Sequence, residues 1–220
     1  MDNWVDNLID RMNVFNSQMV DINVTIILVN DGSSKNLDDD IKRLFSEFPN
    51  IIYINNTVNK GKGHAIRTGL AKSASSIIMY TDIDIPFTPV SMRNVVNQVV
   101  NANADIAVGV RSESYYSNIP KSRKMISRVF KSAIGFLFAL PINDTQGGLK
   151  AMNVKGKEAL AITKTNGYLF DLEFIKHAGR RKLNVCPVVV ETMKDYQNEG
   201  LGSSIIKREL FDFVRIWWRR

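Results

Sequence analysis

The sequence has almost none of the residues that build disulfide frameworks or zinc sites. Cys186 is the one cysteine among 220 residues, and His64 and His177 are the only histidines. A disulfide scaffold is excluded, a reducing cytosol fits, and two scattered histidines do not make a zinc centre by themselves. No apolar run approaches the roughly 20 residues that a helical membrane span needs. Met1-Asp2-Asn3-Trp4 carries acid where a secretion signal carries base, so no signal peptide is expected there. Acid is in the minority overall, with 22 Asp and Glu against 29 Lys and Arg, a formal net charge of +7. That balance favours anionic partners: nucleotide, lipid phosphate, membrane surface or nucleic acid. Nucleic acid ranks last, because no recognition motif is present and the basic clusters lack interleaved stacking aromatics.

An apolar content of 45% with 23% charged residues is ordinary for a globular domain with a sizeable core. No linker, internal repeat or low-complexity segment divides the chain, so residues 1–220 are expected to form one domain. Residues 2–20 have helical spacing, with Trp4, Leu8, Ile9, Met12 and Phe15 on one side. Residues 24–29, rich in β-branched side chains, read as a strand broken by Asn30-Asp31-Gly32-Ser33. A helix over 38–48, a strand over 51–54 and a helix over 64–74 follow, the last entered through a Gly61-Lys62-Gly63 loop. Residues 77–80 read as a buried strand. Pro89 suits the first position of a helix, and 105–110 is a further strand. A polar loop over 112–122, a helix over 122–140 and a Gly-containing loop over 143–150 come next. Short helices are expected over 155–162 and 171–180, a strand over 185–190 and a final helix over 203–218. Strands alternating with helices predict an α/β fold with a mostly parallel sheet.

Chemistry concentrates at the expected strand ends. Thr81-Asp82-Ile83-Asp84 follows the apolar run Ile77-Ile78-Met79-Tyr80. Two carboxylates are costly in a dry interior, so they belong at the mouth of that strand, where open α/β sheets bind ligands. A divalent metal bridging the oxygens of a diphosphate would supply their counter-charge. Asp31 sits at another strand end, suited to a ribose hydroxyl or a base N–H, or simply to an Asx-turn. Gly61-Lys62-Gly63 at a helix start offers backbone N–H groups and positive charge to a phosphate, although it is neither a P-loop nor a dinucleotide fingerprint. A bare Gly-Lys-Gly turn is more often structural. Asn143-Asp144-Thr145-Gln146-Gly147-Gly148-Leu149-Lys150 suits a loop folding over a substrate, or a plain turn. In Phe170-Asp171-Leu172-Glu173, the last acid also suits a helix's first turn.

In this order the motifs resemble the inverting family 2 glycosyltransferases of the GT-A fold. Within that family they are most similar to dolichyl- and polyprenyl-phosphate sugar synthases, the glucosyltransferase-like group above all. The likeness spans roughly residues 24–205 and also includes Gly109-Val110-Arg111. It implies a metal-dependent transfer of a sugar from a UDP- or GDP-linked donor to a polyprenyl phosphate. Asp82 and Asp84 would form the Asp-x-Asp motif that handles ribose and the Mg²⁺ or Mn²⁺ on the diphosphate. Asp31 would bind the nucleoside, with Lys62 and Arg67 near the nucleotide. Arg111, Arg123 and Arg128 would hold donor or acceptor phosphate, and Asp144 and Gln146 would lie near the transferred sugar. If the acceptor is a hydroxyl rather than a phosphate, a general base is needed, with Asp144 first and Asp171 second.

The pattern departs from the family in four places. An apolar first strand, central in the family's sheet, has no counterpart before the first helix. That leaves a non-catalytic domain as an alternative reading. Pro86 follows the acidic pair where some relatives carry a further polar ligand. The 198–204 stretch matches the branch's late Gly-x-Ser-Lys pattern only loosely, and the membrane spans of many relatives are not seen. The final helix carries Ile206, Leu210, Phe213, Val214 and Trp217 on one stripe, beside Lys207, Arg208, Arg215 and Arg219. Such a stripe packs on the core or lies in a membrane interface. The resulting expectation is a cytoplasmic protein, peripheral at the membrane's cytoplasmic face.

Overall fold

The computed structural model describes residues 4–111, 140, 142, 147–193 and 203–218. Helix α1 (Trp4–Ser17) buries Val5, Leu8, Ile9, Met12 and Phe15, the face that its spacing predicts. Strand β1 (Ile27–Asn30) leads to α2 (Asp38–Glu47), β2 (Ile52–Asn55), α3 (Lys62–Lys72) and β3 (Ile78–Tyr80). Helix α4 (Pro89–Val100) starts as expected: Pro89 opens it and the Thr88 hydroxyl accepts from the Ser91 N–H. Then come β4 (Ile106–Arg111), β5 (Lys150–Met152), α5 (Val154–Ala161), α6 (Phe170–Arg180), β6 (Val185–Val190) and α7 (Ser203–Trp218). The helix expected over 122–140 falls outside the described residues except at its last position.

Among the described residues two sheets are formed. β1 and β2 pair in parallel, from Ile27 opposite Ile52 to Asn30 opposite Asn55. The second sheet has the order β3-β5-β4-β6, with β4 and β6 parallel. Strand β5 runs antiparallel to both its neighbours. Three residues are too few for a period-2 signal, so residue 150 read in the sequence only as the end of a glycine loop and 151–152 had no assignment.

Alternation along β4 divides the core. Ala107 faces α4, against Val95, Val99 and Met92. Ile106 and Val108 face the other way, onto Leu160 of α5 and Phe170, Phe174 and Ile175 of α6. A third cluster joins α1 to α2 through Leu8, Ile9, Met12, Ile41 and Leu44. Helices thus cover both faces of the sheet, the layering of α/β folds. β1 ends one residue before Asp31 and β3 two before Asp82, and contacts of Asp31 and Asp82 with the start of α3 bring both ends to one rim.

Candidate functional site

The rim is organised around the N-terminus of α3. Asp31 Oδ2 accepts from the backbone N–H groups of Lys60 and Gly61, at 3.1 and 2.5 Å. Its Oδ1 accepts from Asn56 Nδ2 at 3.2 Å and lies 3.7 Å from His64 Nδ1. Asp31 therefore holds the distant loop that enters α3 rather than forming an Asx-turn, and it is Asn30 whose Oδ1 accepts from the Ser33 N–H within the local turn at 3.0 Å.

The glycines of that loop serve close packing. Gly61 has φ +105°, and a Cβ there would lie 2.5 Å from the Asn166 carbonyl oxygen. A Cβ on Gly63 would meet the Thr165 oxygen and Phe170 at 2.6 Å. The Gly63 N–H donates to Asn166 O at 2.8 Å. Contrary to the phosphate-cradle expectation, the amides of Lys60, Gly61 and Gly63 are all engaged within the protein.

Arg67, expected near the nucleotide, is engaged within the protein. Its guanidinium donates to Thr163 Oγ1 at 3.1 Å, to Thr165 O at 2.8 Å and to Asn166 Oδ1. It ties α3 to the 163–167 loop, since a planar fork matches three acceptors that a loop presents together. Lys62 does face the rim: its Nζ lies 2.5 Å from Asp82 Oδ1. Burial alone would lower the Lys62 pKa, but Asp82 and Asp171 outweigh it and hold it above its ordinary value.

The acidic pair sits on a tight turn after β3, closed by Ile85 N–H donating to Asp82 O at 3.0 Å. Ile85 has φ +36°, a conformation that a β-branched residue adopts only under constraint. Arg11 supplies one constraint, donating from Nη1 to the Ile85 carbonyl at 3.1 Å. The Asp84 pKa is raised, first by burial and then by the neighbouring charge of Asp82. Asp84 Oδ1 is buried with no hydrogen-bond partner. Such an oxygen is costly unless something pairs with it, and a cation does so directly. Among the described residues no group of three or more His, Cys, Asp or Glu converges on one point. Two carboxylates that leave the other positions to water and phosphate oxygens are nevertheless a usual Mg²⁺ donor set. The residues present fit a divalent ion.

Behind the rim lies a buried network that the sequence reading did not assign. Lys150, fully buried on β5, lies 2.7 Å from Asp171 Oδ1 and donates to Gly147 O at 2.6 Å. Tyr80 donates its hydroxyl to the same Asp171 oxygen at 2.5 Å. Burial, and then the Asp171 charge, push the Tyr80 pKa well above its ordinary value, so it remains a donor. Asp171, expected as a second candidate base, is itself buried, and these two partners engage its carboxylate. The network pins the start of the Gly147-Gly148 segment, where a Cβ on Gly148 would come 2.5 Å from Asp82 Oδ2. The glycine pair here serves close approach to Asp82 and β4, not the flexibility expected of it. Lys150 stood in the Gly-Gly-x-Lys motif, and Tyr80 ended the apolar run. The signal was a polar residue at the same end of two antiparallel strands, Tyr80 closing β3 and Lys150 opening β5.

Asp144, Gln146, Arg123 and Arg128 lie outside the described residues. Arg111 ends β4 at the same edge of the sheet, but its side chain is also outside them. Among the described residues no helix is long and apolar enough to cross a membrane.

Comparison with known proteins adds the following. A family model described as glycosyl transferase family 2 matches residues 7–159. A dolichyl-phosphate beta-glucosyltransferase of Trichomonas vaginalis is 24% identical over 204 residues, covering 87% of this chain and 63% of its own length. The glycosyltransferase AglD of Haloferax volcanii is 24% identical over 204 residues, covering 88% of this chain and 31% of its own. The chain thus spans less than two thirds of these curated relatives. The glucosyl-3-phosphoglycerate synthase of Mycobacterium tuberculosis superposes with a TM-score of 0.63 at 13% identity, covering 94% of this chain and 84% of that one. A mannosyltransferase of Pyrobaculum calidifontis, solved with GDP-Man and Mn²⁺, superposes with a TM-score of 0.62 at 15% identity, covering 96% and 66%. These likenesses show the GT-A fold that the motif order implied. With a family model matching well over half of its length on that same fold, the chain belongs to glycosyl transferase family 2.

Proposed function

We propose that the protein transfers a sugar from a nucleoside diphosphate sugar to a polyprenyl phosphate, with a divalent metal on the diphosphate. The observation that carries this reading is the acidic turn. Asp82 and the unpartnered buried oxygen of Asp84 stand at the sheet's C-terminal rim, beside Lys62. Asp82 and Asp84 would hold Mg²⁺ or Mn²⁺, which when bound neutralises the diphosphate and makes it a better leaving group. Lys62 adds positive charge beside the same group, held in place by Asp82 before any ligand arrives. The solved mannosyltransferase that shares this fold holds GDP-Man and Mn²⁺, which supports a donor of the same class here.

Two points favour a lipid phosphate as acceptor. Curated relatives are named dolichyl-phosphate beta-glucosyltransferases. The Asp171 carboxylate, one of the two bases considered for a hydroxyl acceptor, is engaged by Lys150 and Tyr80, whereas a phosphate is already anionic near neutral pH and needs no strong base. The test is to incubate the protein with labelled UDP- and GDP-sugars, Mn²⁺ or Mg²⁺ and a polyprenyl phosphate, then extract the lipid. Metal-dependent label in lipid that disappears in Asp84→Ala is expected. Label only in water-soluble glycan would assign a hydroxyl acceptor. Absence of both turnover and nucleotide binding would leave a non-catalytic domain.

A further inference from the structure

The two carboxylates of the acidic turn are not equivalent. Asp82 has a cation of its own, with Lys62 Nζ 2.5 Å from its Oδ1. Asp84 Oδ1 is buried and has no hydrogen-bond partner. Asp171, the acid behind the rim, is already paired with Lys150 at 2.7 Å and with the Tyr80 hydroxyl. Lys62 is therefore committed to one carboxylate of the pair.

Its ammonium can move although its backbone is fixed. On one side the Gly61 N–H donates to Asp31 Oδ2 at 2.5 Å, and on the other the Gly63 N–H donates to Asn166 O at 2.8 Å. Beyond these anchors the ammonium rides on a flexible four-carbon stem that is partly exposed at the rim. A divalent ion cannot share Asp82 with it cheaply. Mg²⁺ sits about 2.1 Å from a carboxylate oxygen, so the two cations would stand within roughly 4–6 Å of each other. Like charges that close repel strongly even near a protein surface. Gly148 crowds the other oxygen of Asp82 from one side, where a Cβ would come 2.5 Å from Oδ2. A diphosphate changes the balance: its oxygens offer the ammonium a second anionic partner and the metal its remaining ligands.

We propose that Lys62 gates metal access to the acidic turn: it occupies Asp82 until a diphosphate draws the ammonium away, so the divalent ion enters with the nucleotide rather than ahead of it. This regulation rests on the donor site proposed above. Its consequence has a definite sign. Loss of Lys62 tightens the binding of metal alone, whereas a lysine that touched only phosphate would leave that affinity unchanged.

Mn²⁺ binding, followed by the electron paramagnetic resonance signal of the free ion, tests the gate without turnover. Lys62→Met and Lys62→Gln should each bind Mn²⁺ alone about tenfold or more tightly than the unaltered protein. Lys62→Arg keeps a cation for Asp82 and should not. Lys60→Met removes an exposed, solvent-screened lysine two residues away and should shift the affinity by less than about twofold. Saturating UDP or GDP should raise the Mn²⁺ affinity of the unaltered protein by roughly 100-fold, and that gain should shrink about tenfold without Lys62. Should Lys62→Met fail to fold, the polar, neutral Lys62→Gln decides alone. Unchanged or weaker binding of Mn²⁺ alone, an equal gain from Lys60→Met, or a full nucleotide effect without Lys62 would overturn the proposal. Mn²⁺ that binds none of these proteins, with or without nucleotide, would remove the donor site and the gate together. Mn²⁺ that binds with nucleotide but is indifferent to Lys62 overturns the gate alone.

Discussion

Asp84 and Asp171 are two carboxylates with opposite fates, and the difference is their partners. Asp171 has a buried lysine and a tyrosine hydroxyl on one oxygen, whereas Asp84 Oδ1 has none. Breaking a buried pair strands a charge and costs about 3–5 kcal/mol. Lys150→Met is therefore expected to lose roughly that much in urea denaturation, and adding Asp171→Asn should recover part of it. Simple additivity of the two changes would show that the pair is not coupled. Asp84→Asn should behave differently, with a stability change near zero or favourable. Binding of UDP or GDP in the presence of Mn²⁺ should fall by at least the roughly 10–100-fold that an outer-shell loss costs at a metal site. Calorimetric titration checks this, and unchanged affinity would remove Asp84 from the metal site. The sequence showed both acids but not their partners, because an ion pair between β5 and α6 depends on a fold that places residues 150 and 171 together.

At the scale of elements, the 163–167 loop is the hinge point between α3 and α6. Glu173 in the first turn of α6 accepts from the backbone N–H groups of Lys164 and Thr165 at 2.9 and 2.7 Å. Burial works against its charge, but hydrogen bonds from His177, Thr165 and Lys164 overcome that and hold its pKa well below the ordinary carboxylate value of 4.5. A depressed folded pKa adds stability that is complete above about pH 4.5 and is lost as pH falls through the folded value. Glu173→Gln should therefore cost about 1–2 kcal/mol near neutral pH, a Tm drop of roughly 2–8 °C. The gap to the unaltered protein should close as pH falls below about 4.5, and a gap independent of pH would refute the linkage. The helices were legible because periodic apolar faces and caps are local: α1, α4 and α6 start within about two residues of their expected positions. β5 was not legible, since three residues carry no period and its antiparallel pairing is fixed by β3 and β4. The partners of Arg67 were not legible for a related reason: a basic residue after a glycine loop looks alike whether it meets a phosphate or the carbonyls of a distant loop.

For the whole molecule, the decisive surface is α7. Glu209 accepts from the Tyr168 and Leu169 N–H groups at 3.1 and 2.9 Å, Lys176 donates to the Ile216 carbonyl, and Ile216 is buried against Leu169 and Leu172. These contacts anchor the inner face of the helix to α6. Of the expected stripe, Phe213 turns inward while Val214 and Trp217 are more than half exposed, and the side chains of Ile206 and Leu210 lie outside the described residues. The outer face carries Phe211, Val214, Arg215 and Trp218 at helical spacing, with Trp218 78% exposed and Arg215 5.6 Å from the Phe211 ring. Aromatic rings beside cations on an anchored helix suit the headgroup level of an anionic bilayer, where apolar burial and charge attraction add. Vesicles containing phosphatidylserine should bind the protein more tightly than phosphatidylcholine alone, and salt should weaken that binding. Phe211→Ser with Trp218→Ser should weaken it by roughly 10–100-fold, from about 1.5–3 kcal/mol of lost ring burial, with little change in Tm because both rings are exposed in the free protein. Co-sedimentation reads the outcome, and equal binding by the double variant would leave α7 as an ordinary surface helix.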